Sequence, residues 1–396
     1  MKIKFLSIIL IAIFAVSCGQ KRQSESESTQ KYYVRMADSE MQRFPQAWQL
    51  DSVKSPKWNY TQGLVLQAIY DAFKATGEPK YRDYVVSYED TMLFDGGHKI
   101  RTYSTEKYNI DHVNTGKVLF DLYADTQDSV YLNALQLLRF QMTTHPRTSK
   151  GGFWHKQIYS HQMWLDGIYM ASPFLAEYAT VFGDTALYSD VVHQITLIAK
   201  HTFDAKTGLY YHGFDESREQ KWANKTTGTS PNFWSRSMGW YMMAMVDALD
   251  YLPENQAGRD SVIAILRNLS AALEVFRDSE TGMWYQVTDK IGQAGNYVEA
   301  SGSIMFIYAW TKGAQKGYLD KNYLEKARTA YEQFLKTFVI ENADGTISIT
   351  KCCAVAGLGG NPYRDGSYEY YINEPIIHDD LKAVGPFIMT SILLDK

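Results

Sequence analysis

One acidic residue, Asp166, stands in an otherwise aromatic and neutral or basic stretch, Gly151-Gly-Phe-Trp-His-Lys-Gln-Ile-Tyr-Ser-His-Gln-Met-Trp-Leu-Asp-Gly-Ile-Tyr-Met-Ala-Ser-Pro-Phe174. A carboxyl among Met163, Trp164 and Tyr169 at the start of a helix is desolvated, which favours its protonated form and suits a general acid. The same position suits a helix cap, in which backbone N–H groups would hold the carboxylate ionised. A second carboxyl, Asp111, opens the preceding helical segment in Tyr108-Asn-Ile-Asp-His-Val-Asn-Thr-Gly116, so acids from adjacent segments can face one ligand. For Asp111, too, capping is the competing role. Lys156, His212 and Arg236 offer positive charge to an anionic substrate, Arg with bidentate geometry, and Trp164, Trp234 and Trp240 offer flat faces to a sugar ring. Any one of these is more often structural. As a set they point to an anionic carbohydrate.

The elements that must position these residues repeat. Six segments start with aromatic and polar residues, reach a glycine and turn apolar: Trp58-Asn-Tyr-Thr-Gln-Gly63, Asp111-His-Val-Asn-Thr-Gly116, Trp164-Leu-Asp-Gly167, Trp234-Ser-Arg-Ser-Met-Gly239, Glu299-Ala-Ser-Gly302 and Lys382-Ala-Val-Gly385. Past the glycine they are apolar on nearly all sides, so they belong inside. Between them run amphipathic helices, over roughly residues 32–47, 79–95, 127–145, 184–202, 256–277 and 319–339, which belong outside. The pattern predicts an all-α (α/α)6 double-ring toroid of six inner and six outer helices, with the polar ends of the inner set on one rim. Gly152-Phe-Trp-His155, Gly208-Leu-Tyr-Tyr-His212 and Gly282-Met-Trp-Tyr-Gln286 read as short strands or turns just before inner helices.

The 396 residues, 45% hydrophobic and 21% charged, suit one large domain, placed here at 32–396. A net charge of −4 gives no basic stripe for nucleic acid, and Gly357-Leu-Gly-Gly360 lacks the Lys-Ser/Thr of a phosphate loop. Lys2 and Lys4, an apolar run from Phe5 to Val16 and Ala15-Val-Ser-Cys18 resemble a lipoprotein signal over residues 1–18. Cys18 would be the lipidated residue, and 19–31 a polar tether. That predicts a bacterial cell-envelope location, lipid-anchored and facing the periplasm. Adjacent Cys352 and Cys353 fit packed thiols better than a strained disulfide. No Cys or His cluster has zinc spacing, and no metal or cofactor is expected.

Several of these segments together resemble glycoside hydrolase family 105, the unsaturated rhamnogalacturonyl and related unsaturated uronyl hydrolases, with family 88 more distant. The marks are His161-Gln-Met-Trp-Leu-Asp-Gly167 with Met170-Ala-Ser-Pro-Phe174, Asn109-Ile-Asp-His112, Trp234-Ser-Arg-Ser-Met-Gly-Trp240, Arg364-Asp-Gly-Ser-Tyr368 and Asp380-Leu-Lys-Ala-Val-Gly385. The resemblance implies Asp166 as catalytic acid/base and Asp111 as the second acid. It implies that His212, Arg236 and Trp240 hold an unsaturated sugar in a pocket lined by Lys156 and Trp164, and that the substrate is an oligosaccharide supplied by a polysaccharide lyase. Two other classes share the architecture: an (α/α)6 enzyme acting on saturated sugars, and a glycan-binding lipoprotein without catalysis.

Overall fold

The computed structural model describes residues 30–395; the signal segment, Cys18 and the tether as far as residue 29 lie outside the described residues. In chain order the helices are α1 (Tyr32–Arg43), α2 (Tyr60–Thr76), α3 (Pro79–Met92), α4 (Asp111–Asn114), α5 (Val118–Thr126), α6 (Ser129–Thr144), α7 (Leu165–Phe182), α8 (Ala186–Thr202), α9 (Ser235–Ala248), α10 (Arg259–Val275), α11 (Ala300–Gln315), α12 (Asn322–Phe338), α13 (Tyr368–Asn373) and α14 (Leu381–Asp395). The inner ring closes through contacts of α2 with α4 and α5, α4 with α7, α7 with α9, α9 with α11, α11 with α14, and α14 with α2. Each inner helix is covered by an outer one: α3 on α2, α6 on α5, α8 on α7, α10 on α9, α12 on α11 and α1 on α14. This is the six-on-six toroid that the repeat predicts, with outer bounds a few residues tighter.

The repeated glycines are explained by how closely the inner helices approach. A Cβ on Gly63 would stand 2.3 Å from Thr115 Cα, and one on Gly302 would stand 2.7 Å from Ser235 Oγ. Small residues at these crossings let the helix starts converge on one rim.

Two features depart from the sequence expectation. The second inner helix is broken into α4 and α5 at residues 115–117, where only turns connect them. The inner helices are also not apolar throughout, because Asp71, Lys117, Asp121, Glu177, Asp247 and Lys312 all line a cavity at their C-terminal ends.

Strands are short and serve the loops. After α3 comes the hairpin β1 (Leu93–Phe94) with β2 (Lys99–Ile100), and after α12 the hairpin β5 (Val339–Glu341) with β6 (Ile347–Ile349). Single bridges Arg147 to Phe153, Phe203 to Tyr210 and Arg277 to Trp284 do the same after α6, α8 and α10, which accounts for the aromatic loop repeat. Two more pairs, β3 (Gln162–Trp164) with β4 (Gly213–Asp215) and β7 (Cys352–Cys353) with β8 (Ile376–Ile377), brace the rim. Cys352 and Cys353 are buried free thiols. Among the described residues no helix is long and apolar enough to cross a membrane.

Candidate active site

Both acids sit in the first turn of inner helices, and neither is a cap. At α7 the N-cap is Trp164, without a side-chain cap bond; at α4 it is Ile110, and the Asp111 N–H donates to Asn109 Oδ1 at 3.1 Å. The carboxylates are left free for other partners.

Strand pairing brings those partners in. In β3 and β4, Trp164 lies opposite Gly213, and the Leu165 N–H donates to the His212 carbonyl at 3.0 Å. His212 and Asp166 flank that register, so His212 Nε2 comes 3.1 Å from Asp166 Oδ2. The approach is not aligned for a hydrogen bond, and both buried atoms are left without one. On its other side His212 Nδ1 shares a 2.7 Å hydrogen bond with the Tyr371 hydroxyl. Burial keeps that phenol protonated, far above its usual range.

Asp111 is served by the loop that precedes β3. A bridge between Asn109 and Lys156 lays residues 155 and 156 beside it, giving Lys156 Nζ to Asp111 Oδ2 at 2.6 Å and His155 Nε2 to Oδ1 at 3.4 Å. Burial alone would raise the Asp111 carboxyl, but Lys156 and then His155 outweigh it, so the group is held below the usual carboxylate range. His155 is itself pushed down to about 4 by burial and is uncharged at neutral pH, which makes Lys156 the cation that counts there.

The remaining predicted residues sit at the same rim with less freedom than the sequence implies. Arg236 is fully buried; its Nε donates to Ser301 Oγ at 2.6 Å, its Nη2 to the Cys353 carbonyl, and Glu299 Oε1 lies 3.5 Å away. Only Nη1 is uncommitted, so a bidentate grip on a substrate carboxylate would require breaking the existing bonds. The three tryptophans do not present open faces. Trp164 is stacked on His155 at 4.2 Å and on Tyr159 at 4.8 Å. Trp234 donates to Gln286 Oε1 and stacks on Tyr371. Trp240 packs between Tyr60 and Tyr169 at centroid distances of 6.3 and 4.8 Å.

Sequence reasoning left several rim residues without a role. Tyr60 opens the first inner helix within the field of Asp111, Arg236, Asp380 and Asp166, and burial keeps its phenol protonated. Glu299 accepts from the N–H groups of Ser301, Gly302 and Cys353 and so ties α11 to β7. Asp380 and Lys382 form a buried pair at 2.8 Å. Each lies within or next to one of the six repeated segments, which was the available signal. Among the described residues no group of three or more His, Cys, Asp or Glu is arranged to hold a metal ion. A cavity of about 490 Å³ lies at the opposite mouth, away from the acids.

A closed (α/α)6 toroid whose helix starts gather acids, cations and aromatic rings can serve several classes of protein, and comparison with known proteins gives the class: the chain is a glycoside hydrolase. Residues 32–395 match the profile of Glycosyl Hydrolase Family 88, and the chain belongs to that family. It is similar to a solved glycoside hydrolase from family 105 of C. acetobutylicum ATCC 824, with a TM-score of 0.88 and 43% identity, covering 92% of this chain and 99% of that one. It is 42% identical over 229 residues to Protein Atu3128 of Agrobacterium fabrum, covering 56% of this chain and 96% of the relative. The unsaturated rhamnogalacturonyl hydrolase YesR of Bacillus subtilis is 24% identical over 305 residues, 73% of this chain and 82% of the relative.

Proposed function

We propose that the protein hydrates the C4=C5 double bond of a terminal unsaturated uronic acid on lyase-generated oligosaccharides, and that its substrate is an unsaturated rhamnogalacturonyl saccharide. The observation that carries the reading is the unequal state of the two acids. Asp111 is clamped by Lys156 at 2.6 Å and held ionised, whereas Asp166 keeps an oxygen without an aligned hydrogen bond and a side chain 13% exposed to the bowl. One carboxyl is fixed and one is available. The printed activity of the Bacillus relative supports the choice of substrate.

Asp166 delivers its proton to C4 of the enol ether, and positive charge develops at C5 and the ring oxygen. The carboxylate so formed takes a proton from water as the water oxygen bonds to C5. The resulting hemiketal opens to a C5 ketone and leaves C1 as a hemiacetal, which expels the remaining saccharide; the sum is one water added and one glycosidic bond broken. His212 beside Asp166 stabilises the carboxylate between the two proton transfers, with Tyr371 fixing the ring. Asp111 is an ionised acceptor for ring hydroxyls and faces the developing cation. Because one carboxyl acts as acid and then base, the separation rules for retaining and inverting glycosidases do not apply.

The test is loss of the enol-ether absorbance when purified protein meets an unsaturated rhamnogalacturonyl disaccharide. No loss, with release of reducing sugar from a saturated glycoside instead, sinks the reading. For location, a lipid anchor on Cys18 would hold the enzyme at the cell envelope, facing the periplasm, where an extracytoplasmic lyase would feed it. Cys18→Ser should then move the protein from the membrane to the soluble fraction with its turnover intact; a wild-type protein already soluble rejects the anchor.

A further inference from the structure

At the C-terminal ends of the inner helices, opposite the acids, lies a cavity of about 490 Å³ to which all six contribute. Most of its charges are closed pairs. Lys74 bridges Asp71 at 2.7 Å and Asp121 at 3.0 Å, and Lys312 bridges Asp247 and Asp250, both at 2.7 Å. Lys117 is different. It lies in the break between α4 and α5, is 9% exposed, and its Nζ has no hydrogen-bond partner. The ammonium lies 3.4 Å from the centroid of the Tyr169 ring, on the cavity wall, in the field of Asp247 and Glu177.

A buried ammonium without an acceptor is expensive, and a cation–π contact recovers only part of that cost. Burial accordingly pushes Lys117 down to about 7, and pushes the neighbouring Glu177 carboxyl up to about 8 against a hydrogen bond from Tyr251. With Glu177 protonated, four aspartates meet three paired lysines, Lys74, Lys312 and Lys316, the last at 3.2 Å from Asp250, and among the described lining residues Lys117 is the cation left without an acceptor. A single negative charge suits it; a dianion such as phosphate would face those aspartates. The aspartates themselves accept from hydroxyl groups, and the volume falls in the range of small-ligand pockets, about 300–1,000 Å³.

We propose that this cavity is a second binding site, for a small polyhydroxylated monocarboxylate of the sugar-acid class, with Lys117 Nζ turning from the Tyr169 ring to meet its carboxylate and its hydroxyls donating to Asp121 and Asp247. The site stands apart from the catalytic one and does not depend on the reaction assigned there. Tyr169, which lines it, packs at a tilt against Trp240 with ring centroids 4.8 Å apart, so a two-ring layer lies between the second site and the catalytic bowl.

The test is calorimetric titration of the whole protein with D-gluconate, with sorbitol as the same hydroxyl chain lacking the carboxylate. We expect saturable gluconate binding, at least tenfold weaker sorbitol binding, at least tenfold weakening in Lys117→Met and near-wild-type binding in Lys117→Arg and in Lys156→Ala at the catalytic mouth. At pH 8, binding to the wild type should take up protons as Lys117 becomes charged, seen as a heat that differs between buffers of different ionisation enthalpy, and Lys117→Met should abolish this. Absence of gluconate binding to the wild type overturns the proposal, as does equal binding of sorbitol or a folded Lys117→Met protein that binds like the wild type. Loss of binding in Lys156→Ala would seat gluconate at the catalytic mouth and also overturn it.

Discussion

At the mouth formed by the starts of the inner helices, Asp111 and Asp166 stand in first turns, where the helix dipole favours negative charge. At the other mouth Lys74 and Lys312 stand in last turns, where it favours positive charge. Asp71 and Asp247, paired with those lysines, stand against the dipole, so the dipole rule alone does not set the two mouths apart in function. What separates them is the group left over. At the first mouth a carboxylate oxygen, Asp166 Oδ2, lacks a hydrogen bond, as do His212 Nε2 beside it and Arg236 Nη1, while Asp111 and Lys156 are tied to each other; at the second an ammonium, Lys117 Nζ, lacks one while the lysines around it are paired. An uncommitted carboxyl open to the bowl can move a proton to a substrate, and an uncommitted ammonium can hold an anion.

The largest expected effect tests the first half of that contrast. Asp166→Asn keeps shape but cannot titrate, so we expect kcat to fall about 10²–10⁴-fold with circular dichroism unchanged. A folded variant with near-wild-type turnover would remove the acid and collapse the distinction between the mouths. Next comes Arg236. Its guanidinium is raised above its usual range because Asp380 and other anions outweigh the cost of burial, and it closes on Ser301, Cys353 and Glu299. Arg236→Met should therefore cost about 3 kcal/mol of stability by leaving Glu299 without its cation, read as a lower denaturation midpoint. An unchanged midpoint with a raised KM would show an arginine free to hold substrate, as the sequence alone suggests.

That example marks the limit of what the sequence reveals. The toroid is legible because six helices must approach closely at one end, and only a small residue permits this, as Gly63 against Thr115 illustrates. The acids are legible because each falls in the opening of a repeated segment, before Gly116 and before Gly167, among aromatic and basic residues. Their pairing is not: a two-stranded ribbon between residues 162–164 and 213–215 sets His212 against Asp166, and the Asn109 to Lys156 bridge sets Lys156 against Asp111. Those registers join loops far apart in the chain. The second mouth is the least legible, since one charge every few residues in an apolar helix reads as incidental until six helices bring them together.

A smaller effect, on pH dependence, sharpens the comparison at the first mouth. His112 and His155 there, with His145 behind them, are each pushed down to about 4 by burial. Between the unfolded value of about 6.5 and about 4 the unfolded chain binds protons that the folded one does not, so stability is full above this window and falls as pH drops through it. The limit is on the order of 3 kcal/mol per histidine, and partial rearrangement will reduce it. Chemical denaturation at pH 7, 6, 5 and 4.5 should show a steady decline, and His145→Gln should make it shallower. A flat profile would mean that these rings are charged in the folded protein.

The smallest effect belongs to the second mouth and has the opposite sign. Lys117 is held at about 7 by burial, whereas an unfolded lysine titrates near 10.4. Below pH 7 both states carry the proton and the buried ammonium bears its full desolvation cost. Between about 7 and 10.4 the unfolded chain binds more protons, so wild-type stability should gain from this group as pH rises. Lys117→Met fills a similar volume without a charge, so it should stabilise the protein by about 1–2 kcal/mol at pH 6, with the advantage shrinking toward pH 10. Denaturation curves of the two proteins at pH 6, 8 and 9.5 decide the matter. A gain that shrinks as predicted identifies Lys117 as a residue kept at a cost to stability, which is what a preformed ligand site requires. A loss of stability at every pH would mean that the ammonium and the Tyr169 ring are simply part of the core, and the two mouths would then differ only in which one carries chemistry.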